Sequence, residues 1–239
     1  MLRAHPLVSG EVYHIYNRGA HKEPVFIDER DYRRFLLLLY IANNSESVHL
    51  GNLLQKHKGR SLVDIFNEVD SDKALVDIFA YSLLPNHFHL VIRQKSDAGI
   101  TSFMKKVATA YSMYFNTKYD HSGVVFQGRF KSKNINNEPY FRYIFAYTHL
   151  NPVELIVPSW KESVSKKDLL RIKKYMAEYP YSSHYDYCVG IRPERKILSY
   201  EEAPPFLKVS NDVEILLESL KPQTSRTVLD VGGDRGVLD

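Results

Sequence analysis

Leu84-Pro85-Asn86-His87-Phe88-His89-Leu90-Val91-Ile92 is the stretch from which the architecture can be read. Pro-Asn signals a tight turn, and the residues after it alternate polar and apolar in the manner of a strand with one buried face. Alternation sends Phe88 and Leu90 into a core and puts His87 and His89 together on the other side of the sheet. Two imidazoles one pleat apart can share a metal ion, and on these residues alone zinc, manganese and magnesium are all open. The plainer alternative is a pair of surface histidines on a half-exposed strand.

Upstream, residues 74–83 form the other arm of this hairpin, and residues 11–18 (Glu-Val-Tyr-His-Ile-Tyr-Asn-Arg) alternate as a first strand. Between them Asp28 is placed to cap a helix, with Asp31 three positions on. Tyr32, Phe35, Leu36, Leu39 and Tyr40 then follow at helical spacing to about Asn43. Residues 44–73 are polar and read as an insertion, with a short helical pattern at 61–69. Downstream, residues 100–118 space Phe103, Val107, Tyr111 and Phe115 along one face of a long helix. Residues 124–131 predict a last strand, and Pro139, suited to a first helical turn, opens a helix that must end near Pro152. The order β-α-β-β-α-β-α gives an α+β fold, a ferredoxin-like split βαβ antiparallel sheet with helices on one face. Residues 1–155 make up this unit, and 156–239 form a mostly helical C-terminal extension with a basic helix at 165–179. The end, Gly232-Gly-Asp-Arg-Gly236, is expected to be mobile.

With 239 residues, 44% of them hydrophobic and 25% charged, the chain can bury the core of one large domain or of a domain with an appendage. No apolar run nears the roughly 18 to 20 residues that cross a bilayer, and Met1-Leu-Arg-Ala-His-Pro-Leu-Val8 has no long apolar segment or cleavage site. Cys188 is the single cysteine and cannot form an internal bridge, so a reducing cytoplasm and no membrane are expected. The net charge of +4 is mild but uneven: residues 101–150 carry seven basic side chains against two acidic, and twelve of the thirty aromatic residues. Cations for phosphates interleaved with rings for bases suit a single-stranded nucleic-acid groove, where stacking contributes roughly 1–3 kcal/mol per base. An aromatic core beneath a solvated basic face accounts for the composition equally well.

In Tyr140-Phe-Arg-Tyr-Ile-Phe-Ala-Tyr-Thr-His-Leu-Asn-Pro152, Tyr147 and Asn151 stand one turn apart on the same helix face. A phenol can attack a phosphodiester while an amide oxygen completes a metal shell. An aromatic core helix is the competing reading, and spacing alone does not choose Tyr147 over Tyr143 or Tyr140.

The histidine strand followed by Tyr147-Thr-His-Leu-Asn-Pro-Val153 resembles the single-tyrosine transposases of the HUH endonuclease superfamily, and within them the REP-associated tyrosine transposases of bacterial genomes. Tyr13-His-Ile-Tyr-Asn-Arg-Gly19, the helix from Asp28, Phe126-Gln-Gly-Arg-Phe130 and Tyr181-Ser-Ser-His-Tyr185 fall in register with it, so the resemblance covers roughly residues 11–43 and 74–187. It implies the HUH endonuclease fold and a metal-dependent nicking and joining of single-stranded DNA beside a hairpin. His87 and His89 would hold Mg²⁺ or Mn²⁺, Asn151 would complete the metal site, and Tyr147 would form a 5′-phosphotyrosine link with release of a 3′-hydroxyl. The implied setting is the bacterial cytoplasm, at the nucleoid. Arg18, Lys22, Arg93, Lys105, Arg129 and Lys131 are the candidates for gripping DNA phosphates. His14 could be an accessory ligand, though a sheet histidine is the commoner case; His149 should point off the catalytic face. No general base is evident. Relatives work as monomers or as homodimers that exchange the tyrosine helix, and the sequence leaves that open. Two rivals remain. A domesticated, non-catalytic DNA-binding protein is opposed by the intact His87, His89, Tyr147 and Asn151; an unrelated histidine-metal hydrolase leaves Tyr147-x-x-x-Asn151-Pro152 unexplained.

Overall fold

Among the described residues four strands build the sheet: β1 (Val12–Arg18), β2 (Val76–Leu84), β3 (His87–Gln94) and β4 (Lys131–Ile135), in the order β2-β3-β1-β4 with every neighbouring pair antiparallel. β3 lies between β1 and β2, which is the split βαβ arrangement. The computed structural model describes residues 6–46, 73–209 and 211–220. The helical pattern at 61–69 and the glycine-rich end at 232–236 lie outside these residues. Among the described residues no helix is long and apolar enough to cross a membrane.

Helix α1 (Glu29–Ile41) begins where the sequence places it. The Asp28 side chain accepts from the backbone N–H of Arg30 and Asp31, and the Asp31 carboxylate accepts from the N–H of Asp28, a complete capping box. α1 and the long helix α2 (Gly99–Tyr119) cover one face of the sheet, packing Phe35, Leu39, Phe103 and Tyr111 against Ile15, Phe88 and Leu90. Buried Asp31 also ties the two helices together, accepting from Lys118 at 2.6 Å, Tyr119 at 2.7 Å and Tyr114 at 2.9 Å.

The α+β antiparallel class stands, with one refinement: the second face is covered as well. Helix α3 (Glu138–Leu150), capped by Asn137, leaves β4 through a short turn and lays Phe141, Ile144 and Phe145 on Phe79, Ala80, Val91 and Ile135. Those three apolar side chains need a second hydrophobic surface, and the outward-facing residues of β2 and β3 supply it.

The last strand is Lys131–Ile135 and not 124–131. Residues 124–130 form a loop with a single bridge, Gly19 to Phe126. Gly123 and Gly128 adopt positive φ (+123° and +67°), which breaks the extended run. Val125 and Phe126 still bury, but as loop residues in the α1/α2 core.

The C-terminal extension contributes α4 (Lys166–Glu178), α5 (His184–Cys188), α6 (Pro205–Lys208) and α7 (Asp212–Ser219). It also closes the open edge of β2. Leu83 N–H donates to Tyr181 O at 2.9 Å, Ser183 N–H to Tyr81 O at 3.0 Å and Ser199 N–H to Ile78 O at 2.9 Å. A bare edge strand would present unpaired backbone groups to other chains. α4 and α7 pack on the outer side of α3 through Ala146, Leu150, Trp160, Ile172, Met176 and Leu217, and Arg142 reaches Asp212 at 3.4 Å.

Candidate active site

Sheet register assembles the site. His14, Tyr16 and Arg18 of β1 share a face with His87 and His89 of β3. Tyr16 stands opposite His89, Arg18 opposite His87, and Lys131 of β4 flanks Tyr16 on its other side. The C-terminal end of α3 descends onto this row. Together they line a pocket of about 120 Å³ with His14, Tyr16, Asn17, Arg18, His87, His89, Gln127, Lys131, Tyr147, Asn151, Glu154 and Lys161 around it.

Each histidine of the pair is held by a partner on its far nitrogen, as ligating imidazoles are. His87 Nδ1 donates to Asn86 Oδ1 at 2.6 Å, while the Asn86 amide nitrogen donates to Lys22 O at 3.1 Å. That assignment leaves His87 Nε2 as a lone pair. His89 Nδ1 lies 2.8 Å from His14 Nε2, and the two rings stack at a centroid separation of 5.0 Å. For His89 to present Nε2 to the pocket, its Nδ1 must carry the proton and donate to His14. In either tautomer His14 Nδ1 stays buried without a partner among the described residues. His14 therefore backs His89 through its Nε2.

Burial holds these imidazoles neutral. His87 is lowered to about 4 by burial, aided by the charges of Arg18 and Lys161. His14 is lowered to about 3 by burial and Lys133, and His89 lies well below the ordinary range, chiefly through burial and then through its neighbours His14 and His87. Neutral imidazole is the ligating form.

The Tyr147 ring is only 5% exposed. It meets His89 edge-on at 6.0 Å and His14 at 6.4 Å, and is backed by Tyr143 and Trp160, each at 6.0 Å. Lys161 Nζ sits 5.3 Å from the ring centroid, over its face. Asn151 is buried, and its side-chain nitrogen donates to Tyr147 O at 2.8 Å, which leaves Oδ1 as its free acceptor. Among the described residues no three His, Cys, Asp or Glu side chains form a ready metal cluster. What the pocket does offer is two neutral imidazoles and an amide oxygen, a mixed donor set that suits a divalent cation.

Of the residues singled out in the sequence, the structure brings together His87, His89, Tyr147, Asn151, Arg18 and Lys131. Lys22 and Arg129 are exposed, the first in the turn just past β1 and the second on the loop entering β4. Arg93 and Lys105 do not join them. Arg93 sits at the far end of β3, held by Asp77 at 2.7 Å and Glu202 at 3.1 Å, and Lys105 is on α2, across the sheet. His149 turns away from the pocket, 2.8 Å from Ser183 Oγ. Sequence reasoning missed Glu154, Lys161, Asn17 and Gln127. Glu154 was recoverable, because 147, 151 and 154 follow the i, i+4, i+7 spacing of one helix face; Lys161 lies in an irregular segment with no periodic signal.

A sequence profile for the family described as "Transposase IS200 like" matches residues 12–151. The chain belongs to the IS200-like transposases. The matched span of this transposase runs from the first residue of β1 to Asn151, and so contains every lining residue of the pocket except Glu154 and Lys161. Curated proteins give no match. Among solved structures, a REP-associated tyrosine transposase bound to a REP hairpin aligns at TM-score 0.47 and 13% identity, over 89% of this chain and 92% of that one. The tRNA(His) guanylyltransferase of Saccharomyces cerevisiae aligns at TM-score 0.34 and 11% identity, over 86% of each chain. At those scores neither likeness bears on chemistry, and the membership rests on the sequence match.

Proposed function

We propose that this transposase nicks and rejoins single-stranded DNA beside a hairpin, with Tyr147 as the nucleophile. The observation that carries the reading is the convergence, in one small pocket, of the Tyr147 ring with both histidines of the strand motif, 6.0 Å from His89. In the forward step the phenolic oxygen bonds to phosphorus, the bond from phosphorus to the 3′-oxygen breaks, and the proton given up by the phenol ends on that oxygen. The product is a 5′-phosphotyrosine and a free 3′-hydroxyl, and attack by a 3′-hydroxyl on the tyrosyl phosphate reverses the step without ATP.

His87, His89 and Asn151 would hold Mg²⁺ or Mn²⁺, which when bound draws charge from the phosphoryl oxygens. The chain's own contribution is placement. Tyr143 and Trp160 restrict the nucleophile's ring, and orientation of this kind can supply several kcal/mol of a barrier. Lys161 and Arg18 put positive charge where the phenol and the phosphate become anionic. Arg18 and Lys131 at the pocket, with Lys22 and Arg129 nearby, would grip the flanking phosphates. The protein would meet such DNA in the bacterial cytoplasm.

Labelled single-stranded hairpin oligonucleotides incubated with Mg²⁺ and either the wild type or Tyr147→Phe test this on a denaturing gel. The wild type is expected to form a covalent adduct and Tyr147→Phe none. An adduct that survives Tyr147→Phe overturns the nucleophile, metal-dependent hydrolysis without any adduct favours a histidine-metal hydrolase, and tight binding with no cleavage favours a non-catalytic DNA-binding protein.

A further inference from the structure

Glu154 stands in the short 3₁₀ turn (Asn151–Leu155) that continues α3, three residues past Asn151. Its carboxylate faces His87, with Oε1 at 3.7 Å from Nε2. His87 Nδ1 is taken up by Asn86 Oδ1 at 2.6 Å, so Nε2 is the ring nitrogen left to meet a ligand on the side of that carboxylate oxygen. A divalent cation lying between the imidazole nitrogen and the carboxylate oxygen would bond to both. The gap is the right size, since donors 3.7 Å apart can both reach one ion at bonds of roughly 2.0–2.2 Å.

Lys161 and Arg18 act on the carboxylate only through their charge at a distance. Arg18 and Lys161 line the same pocket, but neither forms an ion pair with Glu154 among the described residues, and the side chain is 31% exposed and able to adjust. Asn151 Oδ1 and His89 open on the same space. Resting on the reading of His87, His89 and Asn151 as an ion site, we infer that Glu154 is a fourth protein ligand of that ion. It adds a hard, anionic oxygen to two imidazoles and an amide, which suits Mg²⁺ or Mn²⁺. Glu154 lies three residues beyond the span matched by the family.

Mn²⁺ titrated into the full-length protein, followed by calorimetry and by the electron paramagnetic resonance of free Mn²⁺, provides the test. Wild type, Glu154→Gln, Glu154→Asp and His87→Ala are compared, with thermal melts to verify that each is folded. Glu154→Gln is expected to weaken Mn²⁺ binding by at least about tenfold, since even outer partners of metal ligands are worth that much. Glu154→Asp, which keeps the carboxylate, should recover part of the loss. If Glu154→Gln binds Mn²⁺ like the wild type while His87→Ala does not, Glu154 is no ligand and the histidine site stands. If the wild type binds no Mn²⁺, or His87→Ala binds it normally, the ion site itself is wrong and this inference falls with it.

Discussion

His14 and Tyr147 show how much of the site depends on side chains that the strand motif does not include. His14 is fully buried, and its Nε2 contact to His89 selects which nitrogen of His89 faces the pocket. Replacing it with phenylalanine keeps the ring volume and removes the acceptor. His14→Phe is expected to lower Mn²⁺ affinity roughly 10- to 100-fold, and His14→Gln, which restores an acceptor, to lower it less. Equal affinities in the two variants, measured by calorimetry, would remove His14 from its supporting role. Tyr147 was one of three tyrosines that helical spacing could not separate. Burial separates them: Tyr147 is 5% exposed and lines the pocket, whereas Tyr143 is 42% exposed and only backs its ring.

At the level of elements, the turn after β1 clamps the turn between β2 and β3. Gly19 N–H donates to Asn86 O at 2.7 Å, and the N–H groups of Val25 and Phe26 both donate to Pro85 O, at 2.8 and 2.9 Å. A Cβ on Gly19 would lie 2.1 Å from Glu23 O, a backbone atom that cannot swing aside. Gly19→Ala should therefore push the clamp off Asn86 and loosen His87, costing about 1–3 kcal/mol of stability and lowering Mn²⁺ affinity along with it. An unchanged thermal midpoint would show that the loop gives way freely. Helix α1, both hairpin strands and α2 were legible because period and capping agree there. β4 was misplaced because Val124, Val125 and Phe126 are as apolar as a strand, while the glycines on either side break the extension and the ladder begins only at Lys131.

Across the whole molecule, Tyr147 faces the histidine pair of its own chain. α3 is held there by the extension, through Arg142 to Asp212 and His149 to Ser183. Exchanging α3 between two copies would undo that packing, so the site is expected to work within one chain. A mixture of Tyr147→Phe and His89→Ala proteins should remain inactive in the adduct assay; recovered activity would mean the helix is shared. The buried histidines also set an acid limit. His14 near 3 and His87 near 4 stand below the ordinary value of 6.5, so between about pH 6.5 and 4 the unfolded chain binds protons that the folded one refuses. Stability therefore rises with pH through that window and is lost as pH falls, by at most on the order of 3 kcal/mol for each histidine. The urea midpoint should drop from pH 7 to pH 4.5, and a flat profile would contradict the neutral, buried imidazoles. Residue order was enough for the strand alternation, the antiparallel hairpin, the helix caps and the family motifs, because each is a pattern within a few neighbouring positions. Only the folded chain could decide that α3 crosses to the second face, that the tail seals the edge of β2, and that Glu154 and Lys161 join a pocket with residues of β1. Those contacts join positions far apart in sequence, and no local period records them.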